Sequence, residues 1–443
     1  MKIQAFNPFL PSYEYIPDAE PYVFGSRVYV YGSHDRFDGE DFCMNDYVCW
    51  SAPIDDLGAW KKERVIYRSV QDPLNEDGTQ HLFAPDVQVG EDGRYYLFYC
   101  LHRSSTVSVA VCDEPAGEYQ FYGHIRYADG ILYGQKQGDV FNFDPGVLKD
   151  DDGRIYLYTG LSYLKDAPMR KYLAGMFQID GSYCVELDKD MLTLKSEPVL
   201  AVPGEVLAEG TDFEGHGFFE ASSPRKINGR YYMIYSSVKS HDLCYAVSES
   251  PVKGFRYGGI IVSIGDIGIV EEEQAVNYLS NTHGGLVEIE GQWYVFYHRH
   301  TNRHRNSRQM CAEQIKIAED GRITQTEVTS CGLNGGPLQG TGRYEARIAC
   351  NLSSAGGTFM YQKEKTAGEE RHPYFTQDGE DREDNPNQYI ANLRDGAWAG
   401  LKSVCGEMQK VKCWYRMKRM GKSGRLFRYA HRRTGRRNLG SFI

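Results

Sequence analysis

Asp18, Asp86, Asp144, Glu220 and His283 share one phase: each stands eight to ten residues before Arg27, Arg94, Arg154, Arg230 or Gln292. Four carboxyl groups and an imidazole are the side chains from which general acid–base chemistry is built. Two carboxyls in unlike surroundings suffice to cleave a glycosidic bond, one protonated to assist the leaving group and one ionised to activate water or to attack directly. The local sequence supplies such a contrast. Glu220 stands between Gly217-Phe218-Phe219 and Ala221-Ser222-Ser223, where apolar neighbours disfavour the charged form and suit a general acid. Asp18, between Pro17 and Ala19, is the candidate base. Asp144, in Phe143-Asp144-Pro145-Gly146, is a candidate to hold Glu220 protonated by like-charge repulsion and to orient it. The competing reading is that these acids cap turns or pair with arginine, and Asp86 is the first candidate for that role.

The elements that must position these residues are written in the phrases that follow them. Arg27-Val28-Tyr29-Val30-Tyr31, Arg94-Tyr95-Tyr96-Leu97-Phe98-Tyr99, Arg154-Ile155-Tyr156-Leu157-Tyr158, Arg230-Tyr231-Tyr232-Met233-Ile234-Tyr235 and Gln292-Trp293-Tyr294-Val295-Phe296-Tyr297 are rich in aromatic and β-branched residues. All five follow a Gly-containing turn, so they read as return strands of hairpins, with the leading residue on the strand before. Successive phrases lie 67, 60, 76 and 62 residues apart. Repetition of an all-strand unit at that period predicts a five-bladed β-propeller, whose innermost strands deliver matching positions to one end of a central channel. A cluster of like charges there costs folding energy, which proteins tolerate mainly at functional sites.

With 443 residues the chain exceeds a single core, and two domains are expected. The propeller is assigned to residues 1–328, with blades ending after Ala312-Glu313-Gln314-Ile315-Lys316-Ile317, one of them closed by both chain ends. Gly332, Gly335, Gly336 and Pro337 mark a break. Residues 329–443 are assigned to a smaller, incomplete β-sandwich-like accessory domain with a basic tail. Alternation in Tyr344-Glu345-Ala346-Arg347-Ile348-Ala349 suggests a strand, residues 363–387 read as loop, and the last forty are left without assigned structure.

The net charge of −10 is unevenly spread: residues 401–443 carry thirteen Lys or Arg against Glu407, hence +12 there and −22 elsewhere. An acidic body is a poor partner for nucleic acid. No run of 18 apolar residues occurs and Met1–Pro8 contains no apolar signal region, so neither membrane insertion nor export is expected. Eleven cysteines without a C-x-x-C pair suit a reducing compartment, and the location read from them is cytoplasmic. Gly421-Lys422-Ser423 lacks the glycine a phosphate loop needs five residues earlier, where Arg416 stands. There is no H-E-x-x-H, and no Cys/His spacing supports structural zinc.

Six blocks in order resemble glycoside hydrolase family 43: Tyr15-Ile16-Pro17-Asp18-Ala19-Glu20-Pro21, Gly32-Ser33-His34-Asp35, Ala84-Pro85-Asp86-Val87, Phe143-Asp144-Pro145, Phe219-Glu220-Ala221-Ser222, and Thr282-His283-Gly284 followed by Tyr297-His298-Arg299. The resemblance covers residues 5–325. It implies a five-bladed propeller that removes terminal β-D-xylose or α-L-arabinofuranose from oligosaccharides with inversion. It further implies Asp18 as general base, Glu220 as general acid and Asp144 as the residue that tunes and positions that acid. His283 matches an axial histidine that helps hold calcium through water, the alternative being a hydrogen bond in the channel floor. Phe83, where the family often has Trp, Asp86, His34 and Arg299 are the implied substrate-binding residues, Arg299 reaching toward the sugar or Asp144.

Three rivals stay open on sequence alone. A fructan-cleaving enzyme would use five blades and three acids with retention, but its amino-terminal Asn-Asp-Pro-Asn-Gly type of signature is absent. An endo-acting arabinanase would share the fold with an open groove. A non-catalytic glycan-binding propeller would gain nothing from a costly acid cluster.

Overall fold

Each aromatic phrase is buried on both faces because it is the second strand of a blade wedged between two others, which explains its nearly continuous apolar character. The computed structural model describes residues 4–269, 274–361, 372–382 and 388–405, and the backbone of 429–434 and 437–442. Blade I comprises β1 (Glu20–Phe24), β2 (Arg27–Tyr31), β3 (Tyr47–Pro53) and β4 (Lys61–Tyr67). Blade II comprises β5 (Leu82–Val89), β6 (Tyr95–Leu101), β7 (Val107–Cys112) and β8 (Gln120–His124). Blade III is β9 (Gly146–Lys149), β10 (Ile155–Ser162), β11 (Asp180–Leu187) and β12 (Val199–Pro203). Blade IV is β13 (Phe218–Ile227), β14 (Arg230–Ser237), β15 (Asp242–Ser248) and β16 (Arg256–Ser263). In blade V only β17 (Leu286–Ile289), β18 (Gln292–His300) and β19 (Arg308–Ile315) pair. All five sheets are antiparallel meanders in chain order.

Five apolar clusters fill the five gaps between neighbouring blades, and strand alternation sorts residues among them. On β10, Ile155 and Leu157 pack toward blade II while Tyr156 and Tyr158 pack toward blade IV. On β14, Met233 and Tyr235 face blade III while Tyr232 and Ile234 face blade V. Near the axis the first strands touch directly. Val147 N–H donates to Asp86 Oδ2 at 2.6 Å, and Arg225 of β13 donates to Glu20 Oε2 of β1 at 2.6 Å and to the Leu286 carbonyl of β17 at 2.7 Å. A Cβ on Gly284 would lie 1.7 Å from the Phe296 carbonyl oxygen, so only glycine permits the backbone contact beside Ala19 that joins blade V to blade I.

Ring closure uses a side chain where a fourth strand would lie. The amide of Asn7 donates to Ala312 O at 3.0 Å and accepts from Ala312 N–H at 3.0 Å, so it mimics a backbone partner for the free edge of β19. The same amide donates to Glu313 Oε1 at 2.8 Å. Burial pushes the Glu313 carboxyl up to about 8 from its ordinary 4.5. Between those values the native state alone keeps the proton, so its stabilising contribution is full below 4.5 and is lost as pH rises through about 8. Glu313→Gln is therefore expected to flatten the decline of melting temperature between about pH 5 and pH 8, as followed by calorimetry in matched buffers.

Beyond the propeller, β20 (Asn351–Ser353), β23 (Trp398–Leu401), β25 (Arg437–Phe442) and β24 (Tyr429–Thr434) form one sheet and β21 (Tyr374–Gln377) pairs with β22 (Gln388–Ala391). These extra strands are consistent with a β-sandwich. The hairpin of β24 and β25 lies within the final segment left without assigned structure, whose basic composition hides any alternation. The strand expected at 344–349 is instead a 3-10 turn at Ala346–Ile348. Its alternation comes from Arg347, buried so that its guanidinium donates to the Pro8 carbonyl at 3.2 Å. Residues 363–371, 383–387 and 406–428, which hold most of the expected loop and much of the basic tail, lie outside the described residues. The turn after β21 braces the propeller: Asp381 Oδ1 accepts from Phe37 N–H at 2.7 Å, and Arg382 pairs with buried Glu14 at 2.7 Å. Among the described residues no helix is long and apolar enough to cross a membrane.

Candidate active site

The five leading residues do fall on, or immediately before, the first strand of each blade: Asp18 precedes β1, Asp86 lies in β5, Asp144 precedes β9, Glu220 lies in β13 and His283 precedes β17. Local backbone distortion aims three of them. Asp18 (φ 57°) and Asp144 (φ 45°) sit in the left-handed region, as does Ala221 (φ 73°) after Glu220. Aspartate tolerates that region better than most residues, whereas for alanine it costs of order 1 kcal/mol or more. The pairing of β13 with β14 also shifts register on both sides of Glu220, a bulge that re-aims the side chain. Strain held by surrounding structure at such positions is characteristic of functional sites.

Asp18, Asp144 and His283 converge in the channel, each about 5% exposed, while Glu220 is half-buried. His283 Nδ1 lies 3.5 Å from Asp144 Oδ2 and 3.9 Å from Asp18 Oδ1. Burial lowers the His283 imidazole to about 4, so it is neutral near pH 7. Asp18 is held by Arg308, whose Nη1 donates to Asp18 Oδ1 at 2.9 Å. Arg308 also grips Asp35 through Nε and Nη2, both at 2.9 Å, and Asp35 accepts the Cys43 and Arg308 amides. This bidentate fork fixes the guanidinium that orients Asp18. The Asp18 amide donates to His298 Nδ1 at 3.3 Å, and His298 Nε2 then donates to the Asn281 carbonyl at 3.0 Å. Arg308→Lys keeps a charge but loses the fork, and is expected to lower stability by about 1.5–3 kcal/mol, checked by denaturant unfolding, with kcat falling alongside.

Electrostatics separates the carboxyls. Burial, and then the Asp18 carboxylate, push Glu220 up to about 7 while Arg308 and Arg305 pull it down. Only burial and charge act on that carboxyl, so among the described residues no hydrogen bond ties it down. Asp144 is raised well above the carboxylate range by burial, then by Glu220 and Asp18, while Arg308 and the nearby Ala221 amide act the other way. Glu220 thus shares its channel with two like charges, Asp18 and the Asp144 that the sequence points to.

Aromatic rings flank the carboxyls: Phe83 packs edge-on to Phe143 at 5.6 Å, and Tyr163 edge-on to Phe219 at 5.9 Å. Phe83, half-buried, therefore packs against the residue that precedes Asp144, in the wall of the site.

Three expected substrate ligands point elsewhere. Both oxygens of Asp86 are taken, Oδ1 by Tyr22 Oη at 2.5 Å and Oδ2 by the Val147 amide, so Asp86 fastens blade I and blade III rather than a sugar. His34 Nδ1 donates to the Asp46 carbonyl at 2.8 Å, and its Nε2 accepts from Arg382 at 2.7 Å, which leaves no nitrogen for a ligand. Arg299 lies on the face of β18 opposite His298, where it donates to the Ala349 carbonyl at 2.9 Å and stacks 4.0 Å from the Phe375 ring centroid. The arginine of the site is Arg308, directly across the hairpin from His300 and on the same sheet face as His298. That register was the signal for it, together with strand alternation, which sends residue 299 away from 298. Asp35, next to His34 in the quoted block, is the residue of that block which serves the site.

The model for glycosyl hydrolases family 43 matches residues 7–323. A xylosidase/arabinosidase of Thermoclostridium stercorarium is 53% identical over 416 residues, covering 93% of this chain and 85% of that protein. A β-xylosidase of Xylanibacter ruminicola is 32% identical over 306 residues, 64% of this chain and 88% of the other. Among solved structures, a family 43 β-xylosidase/α-arabinofuranosidase from a compost metagenome, in a calcium-free form with xylotriose, superposes with a TM-score of 0.53 at 23% identity, covering 73% of this chain and 98% of that one.

Proposed function

The chain belongs to glycoside hydrolase family 43 and is a glycosidase, and from that premise we propose that it removes terminal β-D-xylose or α-L-arabinofuranose from short oligosaccharides with inversion. The observation that carries this reading is the inequality of two carboxyls that share one channel. Glu220, raised to about 7 and with no hydrogen bond among the described residues, keeps a proton to give to the departing oxygen. Asp18, oriented by Arg308, takes a proton from the attacking water. As the glycosidic bond breaks and negative charge builds on the leaving oxygen, Glu220 gives its proton to that oxygen, and water, losing a proton to Asp18, adds from the opposite side. Asp144 tunes the acid through like-charge repulsion, and Phe83 offers a ring face to a sugar.

The names of the 53% and 32% identical relatives support xylose and arabinose as the sugars. The ten described cysteines are all unpaired, which supports a reducing, cytoplasmic location and hence short imported substrates. We propose calcium, or another cation, beside His283. The donor set fits such an ion only as a hydrated one, since a neutral imidazole is available but calcium requires six to eight oxygen ligands. Bound there, the ion would favour the ionised forms of the neighbouring aspartates. Assays of nitrophenyl β-xyloside, nitrophenyl α-L-arabinofuranoside and linear arabinan, with and without chelator, test the reading. Release from one or both nitrophenyl glycosides is expected. Turnover of arabinan alone would replace it with endo action, and turnover of none would refute it.

A further inference from the structure

A second cluster of chemistry-bearing side chains stands outside the catalytic group, at the edge of blade II. Asp41 comes from the loop between β2 and β3, His81 immediately precedes β5, and His102 immediately follows β6. One ligand atom of each lies within 4.8 Å of the others, and all three residues are half-buried. The His102 amide donates to the His81 carbonyl at 2.9 Å, which continues the pairing of Leu82 with Leu101 and sets the two imidazoles side by side. Their rings stack with centroids 5.7 Å apart and 22° between planes. His102 Nδ1 lies 4.0 Å from Asp41 Oδ2. His81 Nδ1 is buried and has no hydrogen-bond partner among the described residues. A buried imidazole nitrogen without a partner is costly, and a cation would supply what the fold does not.

We propose that Asp41, His81 and His102 form a transition-metal site of the Zn²⁺ class. Two imidazoles and one carboxylate suit a borderline-soft divalent ion and leave a coordination position for water. Calcium is disfavoured there because it takes oxygen ligands almost exclusively. The ion joins the 32–46 loop of blade I to the first hairpin of blade II. Phe42, next to Asp41, lies under two guanidinium groups, 4.7 Å from that of Arg308 and 4.9 Å from that of Arg305. The site therefore braces the wall against which the partner of Asp18 is packed. Sequence spacing does not reveal it, because its ligands come from three separate segments.

The full chain, stripped with chelator and desalted, is titrated with Zn²⁺ by calorimetry and with Co²⁺ by visible spectroscopy. Wild type, His283→Ala, Asp41→Asn and the double variant His81→Ala/His102→Ala are compared. One equivalent is expected to bind wild type and His283→Ala alike, with Co²⁺ bands of four- or five-coordination. Affinity falls at least about 10-fold in Asp41→Asn and about 100-fold in the double variant. Hydrogen exchange across residues 36–46 slows when Zn²⁺ is added to wild type and stays unchanged in Asp41→Asn, a readout that holds should the double variant fold poorly. Absence of stoichiometric binding to wild type up to about 1 mM metal overturns the proposal. So does wild-type affinity in both variants, or loss of binding only in His283→Ala, which would assign the ion to the channel.

Discussion

Glu220→Gln is expected to lower kcat on xylobiose by about 10²–10⁴-fold, the usual contribution of a general acid, while nitrophenyl β-xyloside loses far less. The difference arises because nitrophenolate departs without a proton and the xylose hydroxyl of xylobiose does not. The pH profile supplies a second signature. With the Glu220 carboxyl at about 7, wild-type activity falls as pH rises through that value, since only the protonated form donates. In Glu220→Gln that alkaline limb disappears. Steady-state kinetics on the two substrates across pH decide the matter, and equal losses on both would remove Glu220 from the acid role.

Asp18→Asn is expected to cost a similar 10²–10⁴-fold on both substrates alike, because water must be activated whatever group departs. The Asp18 carboxylate is also a charge that raises Glu220. Its neutralisation should move the remaining alkaline limb to lower pH, with burial left as the chief influence opposing the two arginines on Glu220. The pair of variants thus differs in leaving-group dependence and in the direction of the pH change, measured with the same substrates. An Asp18→Asn profile with an unmoved limb would contradict the electrostatic account.

The architecture was legible because a propeller repeats one hairpin, and a constant offset between a chemical residue and an aromatic strand survives in the sequence. Double burial of that strand, as in β10 with Ile155 and Leu157 on one side and Tyr156 and Tyr158 on the other, is what made the phrase recognisable. Phase alone placed Asp86 correctly on a first strand, yet could not reveal that Tyr22 and the Val147 amide would occupy its oxygens. Motif adjacency misled at His34 and Arg299, because neighbours on an extended chain face opposite ways. Asp35 and Arg308, whose ion pair orients Asp18, lie 273 residues apart, so only folding brings them together. Alternation at 344–349 imitated a strand because a buried arginine served the carbonyls of the amino-terminal segment. The cluster of Asp41, His81 and His102 escaped for the same reason as Arg308, since its members share no local spacing.

The central claim is that Glu220 and Asp18 act from opposite sides of the bond, one giving a proton and the other preparing water. Proton NMR of the first xylose released from nitrophenyl β-xyloside, read before mutarotation, tests it most directly. The account predicts α-xylose as the initial product, with the β-anomer appearing only later. Initial release of β-xylose would mean retention through a covalent intermediate and would contradict it.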